Sequence, residues 1–250
     1  GVFGTMATAY FAKYGADREA LFNVTIKSHN NAPLNPKAQF PMTIRDFMNA
    51  RIERCRKKGE PIPEWKDEKE FLRDPVANPP IAWPMHLFDC CPISDGAACL
   101  LLVAEEIAKN FTDDPIYLAG MGQGSGYSLH AKKDLTTYEA TRAAAKEAYE
   151  MSGLTPKDIQ FSEVHDCFSI AEIVHMEDLG FFKPGEGYKA VAEGLTRLDG
   201  PIPINTSGGL KTKGHPVGAT GVAQLYEVWV QLRGKAGKRH IARLCWMPSL

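Results

Sequence analysis

Residues 205–221, Asn-Thr-Ser-Gly-Gly-Leu-Lys-Thr-Lys-Gly-His-Pro-Val-Gly-Ala-Thr-Gly, constrain the fold more than any other stretch. Glycines at 208, 209, 214, 218 and 221 surround one imidazole, His215. Glycine accepts left-handed backbone and lets a second chain or a ligand come close. Pro216 lacks an N–H and suits a first helical position, so the pattern predicts that it opens a helix with His215 at the N-terminus. A short strand, Ile202-Pro203-Ile204-Asn205, leads in. A helix over about 219–232 leads out, with Val222, Leu225, Tyr226 and Trp229 on one side. A rigid backbone around one imidazole suits an active site. The alternative is a glycine-rich turn with an incidental histidine.

A second junction lies forty to fifty residues upstream. The apolar run 159–164 reads as a strand ending in Val164-His165-Asp166-Cys167-Phe168-Ser169. Ser169 and Glu172 have capping-box spacing, which predicts a helix over 170–179. His165 and Cys167 then sit at the carboxyl end of a strand, where open α/β sheets bind ligands. A helix N-terminus there favours a thiolate or an oxyanion. A buried core His–Cys pair is the competing reading.

The rest of the chain supplies context. Residues 1–22 read as a helix ended by Gly15, followed by a short helix capped by Asp17. Residues 23–80 are rich in Asn, Pro and charge and read as a surface excursion, its prolines arguing against long elements. The basic run Arg51–Lys58 reads as a solvated face, or else as a contact for a phosphorylated ligand or partner. Ser94-Asp95-Gly96 is a turn signal before Ala97–Val103, an apolar run suited to a strand buried on both faces. A short helix is expected over 104–110. The stretch 115–121 is expected as another strand, with a Gly122-Gln123-Gly124-Ser125-Gly126 tail whose spacing does not fit a dinucleotide loop. Thr136 and Glu139 predict a capped helix to Met151, whose Thr141, Ala144, Ala145, Ala148 and Met151 form a close-packing face stopped by Gly153. Thr155-Pro156 opens one turn, 180–200 is a polar connection, and 241–246 begins one more strand.

Composition closes off several classes. A net charge of −1 gives no general pull toward nucleic acid or membrane. No apolar run reaches the roughly 20 residues of a membrane helix, and no signal peptide is read at the start. The cysteines, at 55, 90, 91, 99, 167 and 245, form no C-x-x-C pair, so zinc and redox motifs are not expected. Cys90 and Cys91 beside His86 read as structural rather than as joint metal ligands. Buried reduced thiols in a cytoplasmic protein fit best. The chain starts at Gly1 inside a helical pattern and ends on Trp246-Met247-Pro248-Ser249-Leu250 without completing an element, which reads as a piece of a longer polypeptide.

The βαβα order after Asp95, Ser94-Asp95-Gly96-Ala97-Ala98, His165-Asp166-Cys167-Phe168 and Gly214-His215-Pro216-x-Gly218-Ala219-Thr220-Gly221 together resemble the thiolase superfamily. The His-Asp-Cys-Phe block is similar to that of the sterol-carrier-protein-type thiolases and their bacterial and archaeal acetyl-CoA acetyltransferase relatives. Other thiolases carry an Asn-Glu-Ala-Phe type of block there. The resemblance covers nearly the whole chain, Phe3-Gly4 and the 153–159 run included.

That resemblance implies an incomplete layered α/β/α fold. Residues 1–90 would be the end of the N-terminal half with the loop region on the CoA side. Residues 91–114 would be the last strand and helix of that half, and 115–250 the C-terminal half-domain. It implies His215 as the base that activates a cysteine nucleophile and helps bind the thioester oxygen, His165 as an oxyanion-hole donor, and Cys167 as the acid/base thiol at the acetyl carbon. Asn205, Ser207, Gly208, Gly209 and Gly214 would line the substrate. Some of Arg51, Arg54, Lys57 and Lys58 would lie near CoA phosphates. No permanent cofactor or metal is implied; acyl-CoA is the substrate.

The family's nucleophilic cysteine comes before the point where this sequence starts, and its C-terminal glycine-rich loop has no counterpart around Cys245. This chain alone is therefore expected not to complete a thiolase cycle. Three readings stand: a thiolase-family acyltransferase, a non-catalytic acyl-CoA-binding or scaffold subunit, and a plain α/β domain with structural histidines. A homo-oligomer is implied, with a zinc-ribbon/OB-fold protein or a lipid-carrier domain as further partners.

Overall fold

In the computed structural model, residues 1–128 and 131–241 are described. The expected strand at 241–246 falls almost wholly outside them. Helices dominate: α1 (Val2–Tyr14), α2 (Arg18–Asn31), α3 (Ile44–Lys58), α4 (Glu68–Arg73), α5 (Glu105–Ala108), α6 (Glu139–Ser152), α7 (Ser169–Asp178), α8 (Gly187–Ala192), α9 (Gly209–Lys213) and α10 (Thr220–Leu232). A small antiparallel pair, β1 (Pro80–Ala82) and β2 (Met85–His86), lies between α4 and α5.

The core is built on α2. Gly15, in the left-handed region at φ 70°, ends α1, and the Asp17 carboxylate starts α2 by accepting the Glu19 N–H at 2.8 Å. Both signals were legible. The length of α2 was not: it runs fourteen residues and is buried along most of them, packing on α7, α8 and α9. Leu21 and Val24 of α2 join Tyr10 of α1 and Ile170, Ile173 and Val174 of α7 in one cluster. A second cluster, Phe22, Ile44, Met48, Phe71 and Leu72, ties α2 to α3 and α4. Residues 23–80 are thus not a loop excursion. The prolines sit between helices, and Thr43 with Asp46 forms the capping box that starts the fifteen-residue α3. Arg54, Lys57 and Lys58 lie on the solvated side of that helix.

The strands expected at 97–103 and 115–121 do not form ladders; both stretches are exposed. A strand needs a neighbour for its backbone groups, and among the described residues none is bonded to either. The stretch 120–124 instead lies along α6. A Cβ added at Gly120, Gly122 or Gly124 would collide with the carbonyls of Ala148, Ala144 and Ala140 in turn. The alanine face read from sequence thus packs on glycines, while Met151 points to solvent at 58% exposure.

Two predicted caps are also absent. Thr136 lies ahead of α6, which starts at Glu139 with Tyr138 as its N-cap residue. Ser169 lies inside α7, and its hydroxyl donates to Asp89 Oδ1 at 3.0 Å. Glu172 turns inward instead, 2.6 Å from the Lys27 ammonium.

Candidate active site

Two chain segments meet at the site. Ser162 and Ile204 form a parallel bridge, in which the Ser162 N–H donates to Pro203 O at 3.0 Å and the Asn205 N–H to Ser162 O at 2.9 Å. Beyond it the Asn205 side chain takes over from the ladder. Its Oδ1 accepts the Val164 N–H, and its Nδ2 donates to Glu172 Oε2, both at 2.8 Å. On the other edge, Cys90 bridges Phe168 antiparallel, and the Cys91 N–H donates to Cys167 O at 2.8 Å. The His165–Cys167 segment is held from both sides.

These constraints bring His165 and His215 together. Their rings meet edge to face with centroids 4.9 Å apart. His215 does not stand at a helix N-terminus, because α10 starts only at Thr220. Pro216 heads a turn instead, its carbonyl accepting the N–H groups of Ala219 and Thr220. The His215 ring is fixed by Thr220, whose Oγ1 lies 2.7 Å from Nδ1 and itself donates to Pro216 O at 3.0 Å. A hydroxyl has one proton, so Thr220 accepts from the ring. In that arrangement Nδ1 carries the hydrogen and Nε2 keeps its lone pair. Behind the ring, the His215 N–H donates to Ser94 Oγ at 2.9 Å, and Ser94 in turn donates to Gln39. Gly214, at φ 108°, leaves room for those two side chains.

Burial pulls His215 below the ordinary imidazole range, with Lys213 adding to the effect. His165 is lowered as well, first by lost solvation and then by His215. Behind it His175 is held at about 4 by burial. The His175 ring stacks on Tyr138 at 4.5 Å and lies 6.5 Å from His165. Cys167 is buried, and that burial, aided by Cys91 and Asp166, pushes its thiol up to about 12. Cys90 is raised to about 12 and Cys91 is raised, each mainly by burial. All three stay protonated near neutrality.

Four of the residues expected to line substrate, Asn205, Ser207, Gly208 and Gly209, are packed against protein. Asn205 and Ser207 are 0% and 1% exposed, with their polar atoms already engaged. The Ser207 hydroxyl donates to Glu163 Oε2 at 2.6 Å, and its N–H donates to Oε1 at 3.0 Å. Gly208, at φ 96°, packs on Thr212 and Ala32, and Gly209, at φ 67°, on the Asp166 carboxylate. Gly208 and Gly209 serve protein-to-protein approach, which has the same sequence signature as approach to a ligand. Gln39, Tyr138, His175, Lys211, Thr220 and Thr141, whose Oγ1 lies 3.1 Å from His175 Nδ1, were not read as site residues. Lys211 and Thr220 stood in the 205–221 stretch that drew attention, but neither was singled out for a role. Among the described residues no group of His, Cys, Asp and Glu is arranged to hold a metal ion.

The chain belongs to the thiolase family: residues 122–246 match the thiolase C-terminal domain-like family. Over 243 residues it is 44% identical to an acetyl-CoA acetyltransferase of Methanothermobacter thermautotrophicus, covering 96% of this chain and 56% of that protein. Over 247 residues it is 33% identical to sterol carrier protein 2 of Oryctolagus cuniculus, covering 96% of this chain and 40% of the relative. The chain spans about half the length of the acetyltransferase it matches. Among solved structures, one described as an Ltp2-ChsH2(DUF35) aldolase superposes with a TM-score of 0.71 at 26% identity, covering 94% of this chain and 56% of that one. A monomeric SCP2-thiolase-like protein type 1 from Mycobacterium smegmatis, at 16% identity and a TM-score of 0.61 over 94% of this chain and 45% of that one, shares the fold. The fold is thus thiolase-like and mixed α/β, in a partial and helix-rich form.

Proposed function

We propose that this chain carries the C-terminal part of a thiolase-family acyltransferase site acting on acyl-CoA thioesters. The reaction is thiolysis of a 3-oxoacyl-CoA or the reverse, Claisen condensation of acetyl-CoA. The observation that carries the reading is the His165–His215 pair with the Nε2 lone pair kept on His215. A neutral imidazole with that lone pair takes the proton from an attacking thiol. His165 donates to the thioester oxygen as charge develops on it. Cys167, held as a thiol, delivers a proton to the carbanion at the acetyl carbon and takes one back in the reverse direction. Gly214 is assigned to the substrate side of this pair; Asn205, Ser207, Gly208 and Gly209 are assigned to the frame behind it.

A second reading is a subunit that binds acyl-CoA without turning it over. It is supported by the thiols nearest the site: Cys90, Cys91 and Cys167 are all raised, so none is activated as a nucleophile. Incubation with acetyl-CoA followed by intact-protein mass spectrometry separates the readings. A covalent acetyl group on the chain supports turnover. Retention without a covalent adduct supports the binding subunit. No retention by parent protein, where His215→Ala behaves identically, would sink both.

Partners follow the same reading: acyl-CoA, a second copy of the chain, and a zinc-ribbon/OB-fold or lipid-carrier protein, without nucleic acid. Support comes from a 31% identical relative described as benzoylsuccinyl-CoA thiolase subunit BbsB, from Thauera aromatica. No helix among the described residues is long and apolar enough to cross a membrane, and a cytoplasmic location is proposed.

A further inference from the structure

One buried charge pair lies between the two halves of the site and has no part in the scheme above. Lys211 Nζ stands 3.5 Å from Asp166 Oδ2, and both side chains are 0% exposed. Asp166 separates His165 from Cys167 in sequence; Lys211 precedes His215 by four residues. The other oxygen of Asp166 accepts the Leu210 N–H at 2.7 Å. Asp166 is therefore bonded twice to the segment that leads into His215, once by an amide and once by a cation. Gly209 makes this approach feasible, because a Cβ there would overlap the carboxylate. Neither Lys211 Nζ nor Asp166 Oδ2 has a hydrogen-bond partner among the described residues. The pair is held by charge in the buried interior, where such interactions are least screened.

The ammonium faces more than its partner. Asp89, Cys90, Cys91, His29 of α2 and Cys167 all lie within its electrostatic reach. Within electrostatic reach of Cys167 are Cys91 and Asp166, which disfavour its thiolate and each weigh more than Lys211, which favours it; Cys167 in turn acts on Tyr138.

We propose that Lys211 is a positioning residue: its buried ammonium, paired with Asp166, fixes the Cys167 segment against the His215 segment and supplies positive charge to the Cys167 sulfur whenever it gives up its proton. The purpose assigned to that thiol rests on the acyl-CoA reading; the charge effect does not. The ion pair is costly to bury, and an apolar pair of similar volume would pack as well. A charge that eases deprotonation of an acid/base thiol gives this lysine a use beyond packing.

Alkylation by iodoacetamide tests it. The thiolate displaces iodide and forms the C–S bond, so at fixed pH the rate follows the thiolate fraction. The Cys167 peptide is followed by mass spectrometry at pH 9 in the parent chain, Lys211→Met, Asp166→Asn and the double variant. Lys211→Met is expected to slow alkylation about tenfold, the equivalent of one unit of pKa, while Asp166→Asn leaves it equal or faster. The double variant should recover the melting temperature lost by Lys211→Met and still react more slowly than Asp166→Asn. If Lys211→Met does not fold, the comparison of Asp166→Asn with the double variant carries the test. An unchanged rate on loss of Lys211, or slowing in both single variants alike, overturns the proposal; the second pattern means the pair only packs. Acetyl-CoA retention by the parent is measured separately. Its failure refutes the acyl-CoA reading and leaves the charge effect standing or falling on the alkylation rates.

Discussion

Thr220 Oγ1 stands 2.7 Å from His215 Nδ1 while giving its own proton to the Pro216 carbonyl. A threonine five residues downstream thus decides which ring nitrogen is available for chemistry. Thr220→Val keeps the shape and removes the acceptor. The imidazole nitrogen shifts of His215, read by 15N NMR, should change from one Nδ1–H tautomer to a mixture. An unaltered Nδ1–H signature in the variant would remove the assignment.

Lys27 and Glu172 form a second buried pair, 2.6 Å apart with side chains 4% and 0% exposed. Lys27→Met strands the carboxylate, which still accepts from Asn205 but has lost its cation. Breaking one side of such a pair costs about 3–5 kcal/mol. Urea unfolding should show that loss, and Lys27→Met with Glu172→Gln should recover most of it. A loss below about 1 kcal/mol in the single variant would mean the carboxylate takes up a proton at little cost.

Glycines of the same motif should differ sharply. Gly209 has a positive φ of 67° and the Asp166 carboxylate where a Cβ would stand, so Gly209→Ala is expected to lose about 2 kcal/mol or more. Gly218 has no positive φ and no heavy atom within 4 Å of an added Cβ. Gly218→Ala should stay within about 0.5 kcal/mol of the parent. Equal effects at the two positions would contradict the placement of this loop.

Acid should unfold the chain partly through its buried histidines. His29 and His175 are both held at about 4 by burial, so the unfolded chain binds protons at a higher pH than the folded one. Each contributes stability that is complete above the unfolded value near 6.5 and is lost as pH falls toward 4, at about 1.4 kcal/mol per pH unit. Raised carboxylates, Glu163 and Glu177 among them, act in the opposite sense. The isolating measurement is therefore a difference: His175→Gln should flatten the stability-versus-pH curve between 6.5 and 4 by about one proton. A variant curve parallel to the parent's would refute the buried neutral form.

The legible parts of this chain were those with local causes. Gly15, Asp17 and Gly153 end or start helices through their own backbone and side chains, and the structure uses them so. The pairing of His165 with His215 was legible through motif resemblance. Capping boxes were misread at Ser169 and Glu172, because a polar residue at capping spacing equally serves a buried network. Glu172 is drawn to Lys27, 145 positions upstream, and no local pattern announces that. The strand at 97–103 failed for the converse reason: an apolar run states a need for neighbours without supplying them. Lys211 was invisible because one lysine in a polar loop looks solvated until the fold closes over it.

The glycines at 120, 122 and 124 against the alanines at 148, 144 and 140 have a mechanical consequence. Two residues of extended chain advance about 6.6 Å, and four residues of helix advance about 6 Å. The two repeats nearly match, so a slip of one glycine along the helix re-creates much the same contact. The seam works as a rail with notches, and the mismatch of about 0.6 Å per notch limits how many can engage together.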